Sequence, residues 1–354
     1  MIRIELTDEI LQNHRDYIYN ESNIKTRLNA LKRKRKIYQG NPKIKTLVDY
    51  LITQVELLGD DTKYTESIFL MTPEKMKSEL EVIKRDYNEA FNECQSKNRS
   101  FSNAILDALG YENFAKRDPT DKSKKSFRPG ESRKNWGAYA FLLKLDLSVC
   151  PYCNRAFINT IYMGKSKGRS RADLDHFLPK ALYPYFSMSI YNLVPSCNTC
   201  NSSFKGQKPF NYKNNLNPYE HIDINALLTF GYTPENYIEC IGLGKDQLNV
   251  TLNYNTEDEH GSKTQANRLE ENCKTFQLEK IYQNHADVVK DILLKHHIFS
   301  QDYKKQVMNT YKGLFSSEDE VDRLLYGDIR ESDIKDSILG KLHYDINSNI
   351  QRSC

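Results

Sequence analysis

Apolar residues recur at helical spacing through most of the first 114 positions. Residues 1–20 read as a short strand followed by a Tyr-rich helix. A helical run from Ile24 to Tyr38 meets the stop signal Gly40-Asn41-Pro42. From Lys43 to Leu58, the spacing of Leu47, Leu51, Val55 and Leu58 puts one apolar stripe on one helix. Thr72 is placed to cap the next helix with Pro73 at its first position, and the pattern runs on through Leu80, Ile83 and Tyr87 to Cys94. A shorter helix, Phe101 to Phe114, carries Ile105, Leu106 and Leu109.

The periodicity then lapses. Residues 115–134 are polar and mostly basic, interrupted by Pro119, Pro129 and Gly130, which reads as a linker or as a basic arm for a nucleic-acid backbone. Trp136 to Leu147 returns to a helix. Leu174-Asp175-His176 ends a short strand, Asn192-Leu193-Val194 begins a second, and Asn198-Thr199 caps a helix carrying Asn201 and Lys205. Tyr237 to Tyr254 alternates as a hairpin would, and Glu257–Gly261 is a turn in which His260 faces solvent. A long helical stretch from Thr264 to His297 places Leu269, Phe276, Leu278, Ile281, Val288, Val289 and Ile292 on a stripe. Two or three further helices are predicted over 300–348, with a frayed tail after Asn349. The fold class is therefore α+β: a mainly helical chain around a small central strand–strand–helix core. Four regions are expected: helices over 1–114, the linker 115–134, the core 135–215, and a hairpin with helices over 216–354.

Composition narrows the class. At 354 residues the chain is long enough for two domains, and 39% hydrophobic content with mean hydropathy of −0.70 describes a polar protein with a buriable core. No apolar run approaches the ~18 residues of a membrane span. The opening residues lack the apolar core of a signal peptide, so a cytoplasmic location is expected. A net charge of +4 does not by itself argue for nucleic acid, since phosphate contacts need local clusters. One such cluster, Lys32–Lys36, reads first as a solvated face and second as a phosphate or partner surface.

Candidate chemistry concentrates between Cys150 and Lys205. Two Cys-x-x-Cys pairs, Cys150/Cys153 and Cys197/Cys200, can turn four thiolates onto one tetrahedral zinc at about 2.3 Å. Four sulfurs leave no open position, so such a zinc is structural. The alternatives are a redox pair or a chance pairing. Between the pairs, adjacent Asp175 and His176 offer a hard oxygen ligand for magnesium and a base near neutral pH, and Asn201 can complete the magnesium coordination. Asp173 is a spare ligand or, more simply, a solvated carboxylate. His285, His296 and His297 lack a partnered ligand pattern and read as structural, and Cys94, Cys240, Cys273 and Cys354 as single thiols.

Asp175-His176, Asn192 and Asn201-x-x-x-Lys205, braced by paired Cys-x-x-Cys knuckles, resemble the HNH nucleases of the ββα-metal class. With Asn201 in the third position the chain is similar to the H-N-N variant. The resemblance implies a zinc-braced nuclease core in which His176 is the general base and Asp175 and Asn201 hold one magnesium ion, with manganese as the alternative metal. It also implies that Asn192 holds the His-bearing loop and that Lys205 contacts a phosphate. Asp175-His176-Phe177 with Pro179-Lys180, Tyr191-Asn192-Leu193 and Lys205-Gly206 through Phe210 is similar, more narrowly, to the HNH subunit of Septu-type and retron-linked anti-phage systems, extending weakly to Phe276-x-Leu278 and Tyr282-x-x-His285.

That likeness implies a nuclease acting on DNA, with RNA or transfer RNA as the alternative substrate, and an ABC-type ATPase partner. It leaves the N-terminal helices unmatched. Lys165, Lys167, Arg169 and Arg171 alternate along a stretch that Gly164 and Gly168 make a hairpin tip or loop; they lie close before the site and are expected to grip the substrate backbone without reading sequence. A third reading is a zinc-braced nucleic-acid or protein adaptor with an inactive core.

Overall fold

A computed structural model describes residues 1–119, 135–163, 168–234, 237–242, 247–255 and 262–353. Most of the basic linker, Lys165, Lys167, the turn around His260 and Cys354 lie outside the described residues. The chain is mixed helix and sheet, with three two-stranded sheets among the described residues. It forms two compact units, one of Arg3–Asp146 with Ile158–His221, the other of Met1–Ile2, Leu147–Phe157 and Ile222–Cys354.

In the first unit the N-terminal helices and the predicted core segment belong together. Helix Asp8–Asp16 starts at Thr7, whose hydroxyl accepts from the Ile10 amide; acidic Asp8 and Glu9 sit at its positive end and Arg15 at its negative end. The next helix, Ile24–Lys32, buries Ile24, Leu28 and Leu31 but ends well before Tyr38. Consecutive like charges from Lys32 to Lys36 repel along a helix, and the chain tightens instead into a 3₁₀ turn, Arg35–Tyr38, with the Tyr38 hydroxyl donating to the Leu31 carbonyl.

Helix Lys45–Leu57 buries Leu47, Val48, Leu51 and Val55 on the expected stripe. The predicted helix from Pro73 to Cys94 is two, Pro73–Asp86 and Asn88–Gln95, broken at Tyr87. Helix Ser100–Leu109 ends at Gly110, whose φ of +71° suits glycine. A Cβ there would also lie 2.4 Å from the Arg27 guanidinium, which donates to the Ala108 carbonyl. Tyr111–Lys116 and Ala138–Lys144 complete the helices that frame the site.

Strands β1 (Ile161–Tyr162) and β2 (Arg169–Ser170) form a short antiparallel ladder. Strands β3 (Asp173–His176) and β4 (Leu193–Ser196) pair antiparallel, Asp173 opposite Ser196 and His176 opposite Leu193. A π-helix, Thr199–Lys205, follows.

The second unit carries β5 (Leu228–Thr233) and β6 (Asn249–Tyr254), an antiparallel pair like the expected hairpin but set earlier, with helix Tyr237–Gly242 between the strands. The stretch expected as one long helix is three, Ser262–Thr275, Leu278–Gln283 and Ala286–Ile298. The first break falls at Gln277, whose left-handed φ of +53° no helix interior accepts. Phe230, Phe276, Tyr282, Val289 and Ile292 are buried in this unit.

Candidate functional site

Alternation along β3 puts Asp173 and Asp175 on one face and His176 on the other. The π-helix faces the two carboxylates in step: Asn201 donates to Asp173 Oδ2 at 3.2 Å, and Lys205, four residues on, reaches Asp175 Oδ1 and Oδ2 at 2.7 Å each. Lys205 Nζ also donates to the His176 carbonyl at 2.5 Å, and Asn198 donates to Asp173 Oδ2 at 3.2 Å. Asp175 and Lys205 are buried, 5% and 2% exposed, whereas Asp173 and Asn201 are half-buried. Burial lowers the Lys205 pKa, opposed by the Asp175 charge. Lys205 is thus turned inward in this structure, away from the phosphate contact expected of it. Asp173, expected as a solvated carboxylate, is the acid that Asn201 meets.

His176 Nε2 lies 3.1 Å from the Ser187 carbonyl. A carbonyl only accepts, so the neutral ring carries its proton on Nε2 and presents its lone pair at Nδ1. The pKa is lowered to about 3, first by burial and then by the charge of Lys180, with the Ser187 carbonyl pulling the other way. The ring is therefore neutral at pH 7. Tyr111 packs edge-on against it, ring centres 4.4 Å apart, and Lys180 Nζ lies 4.4 Å from the Tyr111 ring centre.

Asn192, fully buried, closes the loop that begins at His176. Its Oδ1 accepts from the Leu178 amide at 2.7 Å, and its Nδ2 donates to the carbonyls of Leu178 and Phe186 at 3.1 and 3.0 Å. The N-terminal helices hold the same loop: His14 Nε2 donates to Met188 O at 2.8 Å, Gln95 to Leu182 O at 2.7 Å, and Arg99 to Ala181 O at 2.8 Å. Trp136 Nε1 donates to His14 Nδ1 at 3.2 Å, so both His14 nitrogens are engaged in a site with no solvent exposure.

The sulfurs of Cys150, Cys153, Cys197 and Cys200 all lie within 4.8 Å of one another and could hold a zinc ion. Within the second unit, the Cys150/Cys153 turn is tied down closely. Asn154 takes a left-handed φ of +50°; its Oδ1 accepts from the Lys341 amide at 2.8 Å, and its Nδ2 donates to Ile334 O at 3.0 Å. Tyr152 stacks on Phe276 with ring centres 4.3 Å apart, the Tyr282 hydroxyl donates to Cys153 O at 2.7 Å, and Arg155 Nε donates to His285 Nε2 at 2.6 Å.

The basic positions divide. Arg171 is drawn into the protein, donating to Ala172 O at 2.7 Å with its guanidinium 5.5 Å from the Tyr139 ring centre, while Arg169 is exposed on β2. His296 stacks on Tyr326 and hydrogen-bonds Asn347, a structural role. Tyr111, Ser187 and Asn154 were not anticipated, and Asn198, expected as a helix cap, turns its side chain to Asp173 instead. Tyr111 looks like any core aromatic, and Ser187 acts through its backbone, which no residue type announces. Asn154 had a signal, since an Asn after a tight turn tolerates left-handed geometry.

No known family matches the chain, and no solved structure matches it. Over 58 residues the chain is 45% identical to protein ea31 of Escherichia phage lambda, a stretch that is 16% of this chain and 16% of that protein. Among the described residues no helix is long and apolar enough to cross a membrane.

Proposed function

We propose that the chain is a metal-dependent HNH endonuclease that hydrolyses phosphodiester bonds, DNA by preference, with a structural zinc at Cys150, Cys153, Cys197 and Cys200. The observation that carries the reading is the arrangement about β3. Two carboxylates and a carboxamide, Asp173, Asp175 and Asn201, gather on one strand face, and the next residue along, His176, carries a neutral imidazole from the opposite face with its lone pair at Nδ1. These hard oxygen donors suit magnesium, with Asp175 and Asn201 as its ligands. When bound, the ion would stabilise negative charge on the leaving oxygen. His176 Nδ1 takes the proton of the attacking water; burial keeps the ring unprotonated at neutral pH and, by the same shift, makes it a weaker base than an ordinary imidazole. Asn192 fixes the loop from Leu178 to Phe186 against β4 and so sets where the imidazole stands. Arg169 and the loop before it meet the backbone of the substrate.

By its resemblance to Septu-type subunits, the chain works with an ABC-type ATPase in anti-phage defence. The tight Asp175–Lys205 pair favours a second reading, an inactive zinc-braced adaptor that binds nucleic acid or protein. Incubating the zinc-loaded chain, alone and with an ATPase encoded beside it, with duplex DNA and with RNA, each with and without magnesium, separates these readings. Magnesium-dependent DNA cleavage is expected. Cleavage of RNA alone redirects the substrate, and binding without cleavage under every condition sinks the enzyme reading.

A further inference from the structure

A divalent ion and the Lys205 ammonium cannot both hold Asp175. One Nζ takes both carboxylate oxygens at 2.7 Å and reaches the His176 carbonyl as well, and the pair is buried. Resting on the nuclease reading, we propose that Lys205 is a tethered cation that keeps the metal position at Asp175 neutralised, and that a divalent ion binds only as the ammonium leaves. The physics favours such an exchange over a shared site. At ~4 Å, unit charges of like sign repel by about 4 kcal/mol even at an effective dielectric of 20, and a divalent ion doubles that.

The same geometry gives the buried carboxylate a partner without metal: the ammonium sits across both its oxygens. Asp173 and Asn201, half-buried beside the pair, are bonded to each other rather than to Lys205 and stay in place to receive the ion. Lys205 ends its helix, and Gly206 follows at a φ of +50°, so the side chain departs from a helix terminus rather than from a packed interior turn. Its Nζ lies 4.9 Å from the Phe210 ring centre, an aromatic face beside the path of the stem.

The exchange makes Lys205 a brake on metal occupancy, and the test reads metal binding rather than cleavage. Manganese binding to the zinc-loaded chain is measured by the loss of the free-ion paramagnetic signal for wild type, Lys205→Met and Asp175→Asn. Lys205→Met is expected to bind manganese about tenfold more tightly than wild type, and Asp175→Asn to lose binding. Equal or weaker binding by Lys205→Met overturns the exchange while leaving the nuclease reading intact. Absence of binding by both wild type and Lys205→Met overturns that reading as well.

A second measurement needs no variant. The Lys205 amine of the wild-type protein, buried at rest, is expected to gain reactivity toward an acetylating reagent as manganese is added, read by mass spectrometry of its peptide. Unchanged labelling at saturating manganese overturns the proposal.

Discussion

Removing both members of the Asp175–Lys205 pair should cost far less than the two single removals added together. Lys205→Met leaves a carboxylate 5% exposed without its counter-ion, and Asp175→Asn leaves an ammonium 2% exposed without its own. Breaking one side of a buried pair costs about 3–5 kcal/mol, because the surviving charge stays desolvated. The two single costs therefore sum to roughly 6–10 kcal/mol. The double variant Asp175→Asn/Lys205→Met loses the bond to the His176 carbonyl but strands no charge, and roughly 2–4 kcal/mol is expected.

The coupling is thus at least about 2 kcal/mol. Urea unfolding in zinc-replete, magnesium-free buffer measures it, followed by the fluorescence of Trp136, the single tryptophan, which lies in the same compact unit as the pair. Single-variant costs that add to the double within about 0.5 kcal/mol would refute the claim that these two charges depend on each other.

Three further outcomes follow from the site's surroundings. His14 is fully buried with its pKa lowered to about 4, mainly by burial, so the unfolded chain binds its proton first. Its contribution is complete above pH 6.5 and is lost as pH falls toward 4, by roughly 3 kcal/mol in all. His14→Gln, which can keep both hydrogen bonds, should flatten that part of the pH–stability curve, and an unchanged slope contradicts the assignment. Asn192→Ala strands the amide and carbonyl of Leu178 and the carbonyl of Phe186, costing roughly 3 kcal/mol in the same urea assay; a loss below about 1 kcal/mol would mean the loop holds itself. Elemental analysis should find one zinc per chain, absent from Cys200→Ser, and zinc retained at full stoichiometry in that variant would remove the four-thiolate site.

Much of the fold was legible where periodicity alone decides. The stripe Leu47–Leu51–Val55 sits where helical spacing put it. Helix breaks were less so. Lys32–Lys36 stops a helix by charge repulsion in spite of good propensity, and Gln277 breaks one through a left-handed residue that is neither Gly nor Asn.

At the site, the cysteine spacing announced the sulfur cluster. What the residues could not announce was the partnering. Whether Asn201 meets Asp173 or Asp175 depends on where the π-helix rests along β3, a tertiary register worth one turn. The same holds for Tyr111, far off in sequence from the His176 ring it packs on.

The account turns on His176 as the base of a magnesium-dependent hydrolysis. Its most direct test is single-turnover cleavage of end-labelled duplex DNA by wild type and His176→Ala at matched zinc content, with and without magnesium. Wild type should cut only with magnesium, leaving 5′-phosphate and 3′-hydroxyl ends, and His176→Ala should be slower by about 10²-fold or more. Equal rates for the two proteins, or cleavage indifferent to magnesium, would contradict the account.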